Sequence, residues 1–447
     1  MVRLSARELF RQTVHIGAGS LALSLRWVDP LQLSWLALAG FAFNLLVLSR
    51  LDGLGLWRSE EERKGRAPGV VLYPLTAWLL LVIFGRQPEW AAAGWGLLAF
   101  GDGAASLIGP ILGRRGLPWN PAKSWAGLTA YWLLGGGAVA FLVQWVAPGV
   151  YDAPFVWAMS FAVALVAALL ESMPTRLDDN LAVPLIGALL MACSLWTEGY
   201  WSQLITPNWG FRLAIALIVN ALLAGAARAM QTLDLSGWVA ATLVGGVILG
   251  FLGWKGYLLL LIFFLLGSLA TRVGYRHKSR LGVAQGSRGA RSVWNVLANG
   301  TVAAACAVYA AVTPFPQLFT VAFAGAMAAA TADTLESEIG QLRGGPTYLI
   351  TSLRPVEVGT DGGVSVTGTL AGIFGSLGVA LTGGVLGLYS SRLALAVAVA
   401  GLTATLLESV VGASLERRGQ VGNHAVNLFN TLAGALLAVS VAAWLSR

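Results

Sequence analysis

The stretch from Ala153 to Asn180 reads APFVWAMSFAVALVAALLESMPTRLDDN and joins two properties that seldom occur together. Its first part, 154–171, is an almost continuous apolar run of the length at which a helix crosses a bilayer. Its end carries Glu171, Asp178 and Asp179, and charged groups are costly in a membrane unless they have a partner or a function. The stretch therefore predicts a transmembrane helix that presents carboxylates at one membrane surface.

The composition extends this prediction to the whole chain. The 447 residues are 57% hydrophobic and only 11% charged, with a mean hydropathy of +0.72, whereas soluble domains carry about 25% charged residues. Apolar runs recur along the full length and predict an all-α polytopic membrane protein with about fifteen transmembrane helices. The net charge of +8 is what basic cytoplasmic loops produce, so nucleic acid is not an expected partner.

The distribution of charge predicts an orientation. With a cytoplasmic N-terminus, most of the 29 Lys and Arg residues lie on the cytoplasmic side, as the positive-inside rule requires. Nearly all carboxylates near the span ends lie on that side too. A channel or carrier distributes polar groups through the membrane depth, whereas an enzyme with a cytosolic co-substrate gathers them at one face. We therefore expect an integral protein of a bacterial inner membrane, with cytoplasmic active sites; a plastid or thylakoid membrane stays open.

The chain also carries an internal duplication. FGDGAASLIG at 100–109 corresponds to TADTLESEIG at 331–340, and LLES occurs at both 169–172 and 406–409. The offset is eight spans, an even number, so the two copies are parallel rather than inverted. We predict seven spans, one connecting span and seven further spans. The expected domains are a kinase-like membrane domain at 1–200, a connecting helix at 201–230 and a second kinase-like domain at 231–447.

The first half contains residue types that suit a magnesium–nucleotide site. A carboxylate can ligate Mg²⁺, the metal bridges phosphate oxygens, and a nearby Lys offsets charge on the transferring group. Asp102, Lys123 and Ser124 are the candidates for these roles. Glu171 and Asp179 are candidates for a second metal ligand or for the general base that an attacking alcohol requires, and His15 is a further candidate for that base.

The second half offers a larger set. Its catalytic candidates are Asp333, Glu338 and Asp361, and Glu336 joins Asp333 as a metal candidate. Its basic loop reads either as a topology signal at anionic lipid or as a phosphate site. The asparagines read either as hydrogen bonds between helices or as nucleotide recognition. The candidates for nucleotide binding are Lys278, Arg288, Arg291, Asn295, Asn299, Asn423 and Asn427.

Several first-half segments resemble the dolichol kinase and phytol kinase family: RQTVHIGAG, FGDGAASLIG, AKSWAG and ESMPTRLDDNLAVP. Members are CTP-dependent, integral-membrane kinases of polyisoprenoid alcohols. The resemblance covers roughly residues 5–200 and implies CTP and Mg²⁺ at a loop formed by Asp102, Gly109, Gly113, Lys123 and Ser124. The chain has Gln12 where many members have Lys, and Ala126 where Glu is frequent. These departures leave open that the first half has lost catalysis and serves as a scaffold.

The second half, at about 231–447, resembles the phytyl-phosphate kinase family through HKSRLGVAQGSRGARSVWNVLANG, TDGGVSVTGT and NHAVNLFNTLAGA. This resemblance implies that an isoprenyl monophosphate receives a second phosphate. Together the halves imply a bifunctional isoprenoid kinase that converts an alcohol to its monophosphate and then to its diphosphate. Two alternatives remain at this point: a cytidylyltransferase that makes a CDP-lipid from CTP, and a lipid transporter or flippase built from parallel halves.

Overall fold

The structure is a computed structural model that describes residues 5–48, 68–173, 178–204, 208–283, 289–342 and 345–445. It is built almost wholly of helices, so the predicted all-α class is confirmed. The chain forms two compact units, Met1–Glu198 and Gly199–Arg447. The helix predicted as a connector belongs to the second unit.

The first unit is a bundle of apolar helices with short polar caps. Asp152 begins one helix by accepting a hydrogen bond from the amide of Phe155 at 3.1 Å, and Asp178 begins the next by accepting one from Asn180 at 3.0 Å. A π-helical segment, Leu97–Gly101, lies between α4 and α5, just before Asp102. The α-helices are α1 (Ala6–Gly19), α2 (Pro30–Leu46), α3 (Pro68–Phe84), α4 (Pro88–Gly96), α5 (Asp102–Leu112), α6 (Trp125–Val146), α7 (Ala153–Ser172) and α8 (Asp179–Trp196).

The second unit is organised around one buried helix, Pro316–Gly340. Of the most apolar stretch of this helix, 72% is buried inside the protein. Its alanines and glycines allow close packing: a Cβ added at Gly434 would lie 2.6 Å from the carbonyl oxygen of Gly325. The α-helices are α9 (Glu198–Leu204), α10 (Trp209–Ala229), α11 (Leu235–Arg272), α12 (Tyr275–Arg280), α13 (Val293–Ala311), α14 (Pro316–Gly340), α15 (Val366–Val385), α16 (Ser391–Val411) and α17 (Asn423–Leu445).

Eleven helices of the described ranges are long and apolar enough to cross a membrane, and two shorter apolar helices, Pro30–Leu46 and Gly69–Phe84, accompany them. The apolar runs 237–253 and 256–272, which the sequence presents as two separate spans, form one 38-residue helix, α11, which is broken at Gly253 by a left-handed φ of 70°. The predicted number of fifteen spans therefore stays a prediction. Large apolar side chains such as Leu222 and Phe374 point outward, as expected for helices that face lipid.

Two small sheets precede helices that belong to the repeat. In the first unit, β1 (Gly116–Leu117) pairs antiparallel with β2 (Asn120–Ser124) just before α6. In the second unit, β3 (Thr347–Leu349) pairs with both β4 (Pro355–Val356) and β5 (Gly363–Val364) just before α15. Sequence analysis did not predict these strands, because each is only two to five residues long.

The helix that follows each sheet begins in the same way. Ser124 caps α6 by accepting a hydrogen bond from the amide of Gly127 at 3.2 Å, and Ser365 caps α15 by accepting one from Gly368, also at 3.2 Å. A Cβ added at Gly109 would lie 3.4 Å from the Cα of Gly127. The corresponding approach of Gly340 to the Cα of Gly368 is 3.5 Å. Each unit thus contains a Ser-capped helix that crosses its neighbour glycine against glycine.

Candidate active site

The first unit brings together three of its predicted site residues: two carboxylates lie beside the ammonium group of Lys123. Lys123 on β2 forms an ion pair with Glu171 at the end of α7, and its Nζ lies 3.7 Å from Oδ2 of Asp179 at the start of α8. Burial lowers the pKa of Lys123, but the carboxylates, Glu171 foremost, outweigh burial, so the pKa is raised above its usual 10.5. Lys123 therefore carries its charge throughout the neutral range.

The hairpin β1–β2 holds Lys123 in this position. Trp119, in its turn, donates its indole N–H to Oγ of Ser172 at 3.0 Å, and the Asn120 side chain donates to the Ser172 carbonyl oxygen at 3.0 Å. Both bonds tie the hairpin to the last residue of α7, directly after Glu171. The hairpin therefore positions Lys123 beside Glu171 through contacts that no sequence pattern indicates.

His15 and Asp102 form a second pair in this unit. His15 Nε2 lies 3.4 Å from Oδ2 of Asp102 and 2.8 Å from the carbonyl oxygen of Leu98. Both neighbours are acceptors, so Nε2 carries a hydrogen and acts as a donor. The His15 ring also meets the Tyr73 ring edge to face, with centroids 4.6 Å apart. Its hydrogen bond goes to the Leu98 carbonyl oxygen, so this nitrogen is not free to accept a proton, and Asp102 lies beside it at the longer distance.

A cavity of about 590 Å³ lies beside the lysine. Gly109, Gly113 and Ser124 line it, as predicted for the nucleotide loop, together with Lys123 and Glu171. Two further lining residues, the hydrogen-bonded pair Glu8 and Arg11, were missed, although RQTVHIGAG begins at Arg11. Gln12, at the position of a departure from the family pattern, is buried and bonds to Glu8 at 3.3 Å.

The second unit has a more strongly polar cavity of about 210 Å³. It is surrounded by apolar helices, yet its described lining includes five carboxylates, five side-chain amides and one guanidinium. The carboxylates come from α14, from the turn before β5, from α16 and from the π-helical segment Gly412–Glu416 that follows α16. These groups are Asp333, Glu336, Asp361, Glu408, Glu416, Asn295, Asn299, Gln341, Asn423, Asn427 and Arg291.

A tight turn brings Asp361 to this cavity. Gly362 follows it with a left-handed φ of 72°. A Cβ at Gly362 would lie 2.5 Å from the carbonyl oxygen of Ser409 on α16, so the turn packs closely on that helix. Only glycine satisfies both requirements, which explains the Gly-rich sequence TDGG at this point.

Asp333 and Glu336 fit the predicted magnesium site. They are three residues apart on α14 and share one helix face. Oε1 of Glu336 accepts a hydrogen bond from Thr369 at 3.0 Å, while the buried Oε2 has no hydrogen-bond partner. Mg²⁺ usually keeps several waters and needs only one or two carboxylates. Within the described ranges, however, no group of three or more His, Cys, Asp or Glu side chains forms a ready-made metal site.

Some predicted residues lie elsewhere. Glu338 and Lys278 do not line the polar cavity; they form a buried ion pair at 2.5 Å, and Thr271 donates to Glu338 at 2.8 Å. Arg288 falls outside the described residues. Sequence reasoning missed Glu408 and Glu416 as site residues. The repeated LLES was a signal for Glu408, because its first copy contains Glu171.

Comparison with known proteins places the chain. The profile of the family described as integral membrane protein DUF92 matches residues 218–435. An uncharacterized membrane protein of Synechocystis sp. is 38% identical over 247 residues, 54% of this chain and 95% of that protein. Protein VTE6, chloroplastic, of Arabidopsis thaliana is 34% identical over 53% of this chain and 73% of its own length.

A phytol kinase of Synechocystis sp. is 36% identical over 206 residues, which are 44% of this chain and 82% of that enzyme. No solved structure matches the chain. The first two relatives are matched over most of their own length at more than 30% identity, and the profile covers most of the second unit. The chain therefore belongs to the DUF92 family of integral membrane proteins.

Proposed function

We propose that the protein is a membrane-embedded, bifunctional isoprenoid kinase. The first unit converts an isoprenoid alcohol to its monophosphate, and the second converts the monophosphate to the diphosphate. CTP is the phosphate donor, Mg²⁺ accompanies it, and both sites face the cytoplasm of a bacterial inner membrane. Similarity to relatives named phytol kinase supports the choice of a kinase with an isoprenoid substrate.

The observation that carries the proposal is the polar cavity of the second unit. Carboxylates from separate chain segments and a guanidinium line one cavity inside a bundle of apolar helices. Burying such groups without a ligand or metal is costly, so the arrangement is typical of a functional site. Transferring phosphate to a lipid requires this combination, because the nucleotide is polar and the acceptor is apolar.

In the first unit, Lys123 faces the transferring phosphate and offsets its charge. Asp102, which lies beside His15, accepts the proton of the attacking alcohol. Asp179 contributes to the magnesium–nucleotide site, and Glu171 fixes the lysine. In the second unit, Asp333 and Glu336 would hold the cation, which would offset charge on the nucleotide phosphates. The acceptor there is already a phosphate, so that step needs no base to remove a hydroxyl proton.

The test uses purified full-length protein in detergent with Mg²⁺, γ-labelled CTP and geranylgeraniol. Wild type is expected to yield labelled diphosphate. Asp333→Asn is expected to stop at the monophosphate, and Asp102→Asn to leave the alcohol unmodified while still converting added monophosphate. Glu357→Gln, at an exposed residue beside the Asp361 turn, serves as the matched control. Release of pyrophosphate and formation of a CDP-lipid from α-labelled CTP would replace the kinase by a cytidylyltransferase.

A further inference from the structure

A second cavity in the Gly199–Arg447 unit is apolar and has a volume of about 380 Å³. It lies among α10, α11 and α13, and its described lining is dominated by alanine, leucine and phenylalanine. The volume falls within the range of about 300–1,000 Å³ that small-molecule sites occupy. Such a cavity suits a hydrocarbon chain.

The apolar cavity and the polar cavity share two lining residues, Arg291 and Asn295. A group bound at Arg291 can therefore extend into one cavity while it meets whatever occupies the other. Gly267 on α11 leaves room for the guanidinium, because a Cβ there would clash with it. The two cavities thus meet at a cation.

Arg291 is 8% exposed, and its guanidinium makes no ion pair or hydrogen bond with the residues that the structure describes. It lies over the Phe263 ring, 5.1 Å from the centroid, and 5.8 Å from that of Phe264. Cation–π contact offsets only part of the cost of burying a charge. Burial lowers its pKa to about 10 and the negative charge of Glu338 partly opposes this, so the group is still charged at neutral pH. An anionic ligand would complete the site.

Asn220 and Tyr257 line the part of the apolar cavity away from Arg291. The tyrosine hydroxyl donates to Oδ1 of Asn220, and Nδ2 of Asn220 donates to the carbonyl oxygen of Thr242 at 3.0 Å. Both side chains are buried, and the hydrogen bond between them makes them a fixed wall of the cavity. Tyr257 precedes Phe263 by six residues and Gly267 by ten, about 9–15 Å along the helix axis.

We propose that the apolar cavity binds the isoprenoid tail of a polyisoprenyl monophosphate, that Arg291 binds its phosphate, and that the Asn220–Tyr257 wall limits the length of the tail. This assignment rests on the proposed kinase function and adds the orientation of the acceptor. An oxygen of the lipid phosphate forms the new bond to the terminal phosphorus of the nucleotide. The bond from that phosphorus to the nucleoside diphosphate breaks, and its electron pair leaves with the nucleoside diphosphate.

Direct binding of labelled geranylgeranyl monophosphate to the full-length protein, without nucleotide, tests the assignment. Arg291→Gln is expected to weaken binding by about tenfold to a hundredfold, the value of one charge-assisted contact, and to abolish the preference for the monophosphate over geranylgeraniol. Ala224→Phe, which fills the cavity one turn from Asn220, is expected to weaken binding of geranylgeranyl monophosphate while sparing farnesyl monophosphate, which is one isoprene unit shorter. Leu222→Phe, on the exposed face of the same helix, is the control.

The outcomes separate this inference from the proposed function. If the variants behave as expected but no diphosphate forms with any nucleotide, the kinase proposal fails and the binding site stands. If diphosphate forms, and both variants bind geranylgeranyl monophosphate like wild type, the tail site is wrong. Equal competition by phosphatidic acid would likewise overturn it, since the cavity would then be a general site for membrane phospholipid.

Discussion

Replacing Lys278 by Met tests the energetic role of the buried ion pair in the second unit. The Lys278 and Glu338 side chains are 1% and 4% exposed, and their charged atoms are 2.5 Å apart. Methionine keeps most of the length of lysine but removes the charge. Glu338 would then retain the hydrogen bond from Thr271 and the more distant charge of Arg291. Breaking a buried pair from one side costs about 3–5 kcal/mol, because the remaining charge loses its direct partner.

The double variant Lys278→Met, Glu338→Gln removes both charges and keeps an acceptor for Thr271. It is expected to unfold within about 1 kcal/mol of wild type, since a neutral replacement of a buried pair is often tolerated. Lys278 and Glu338 were both predicted as site residues, so the double variant also tests whether they take part in catalysis. We expect it to retain diphosphate formation.

Unfolding can be followed by titration with SDS, with a thiol-reactive dye reporting exposure of buried Cys306 in a Cys193→Ser background. Arg280→Met, at an exposed position on the same short helix, is the control. A loss below about 1 kcal/mol in the single variant would refute the reasoning, because it would mean that water already solvates the pair. A double variant as unstable as the single one would refute it too.

Three further predictions concern the candidate sites. Trp119→Phe removes the hydrogen bond to Ser172 and is expected to cost about 1 kcal/mol in SDS unfolding and to slow alcohol phosphorylation, with monophosphate phosphorylation as the unaffected comparison. Gly362→Ala forces a left-handed residue against α16, costs about 1–3 kcal/mol, and should displace Asp361 so that monophosphate accumulates in the labelled-CTP assay. The pKa of Lys123 is raised in the folded protein, so its stabilising contribution is fully present below about pH 10.5 and is lost as the pH rises through the higher folded-state pKa. Unfolding titrations between pH 7 and 11 should show this loss of stability at alkaline pH in wild type. The loss should be missing in Lys123→Met.

The helical class follows from apolar run length, a signal that the bilayer itself imposes. The positions of charged and amide side chains near apolar runs also indicated several cavity residues. Groups such as Asp333 and Asn427 are costly in a membrane unless they have a partner. The break at Gly253 was predictable only as a gap between two apolar runs. Whether a helix bends or ends there depends on backbone angles, and many glycines of this chain serve packing instead.

The positions of individual charges were harder to predict. Glu336 and Glu338 are glutamates of the same short motif, yet only Glu336 lines the polar cavity. A step of two residues on a helix turns the side chain to another face. Lys278 pairs with Glu338, which lies 60 residues further along the chain, so no local pattern indicates the pair. The hairpin that delivers Lys123 to Glu171 depends on two bonds to Ser172 that no local pattern encodes.

The glycine crossings described in both units have a consequence for how such a protein can change. The contacts of Gly109 with Gly127, and of Gly340 with Gly368, are made by backbone and need none of the carboxylates that line the cavities. The glycine crossing of each unit is thus independent of these carboxylates. One copy could be silenced by a single exchange such as Asp to Asn and still assemble, which would turn a two-step catalyst into a one-step catalyst without loss of the protein.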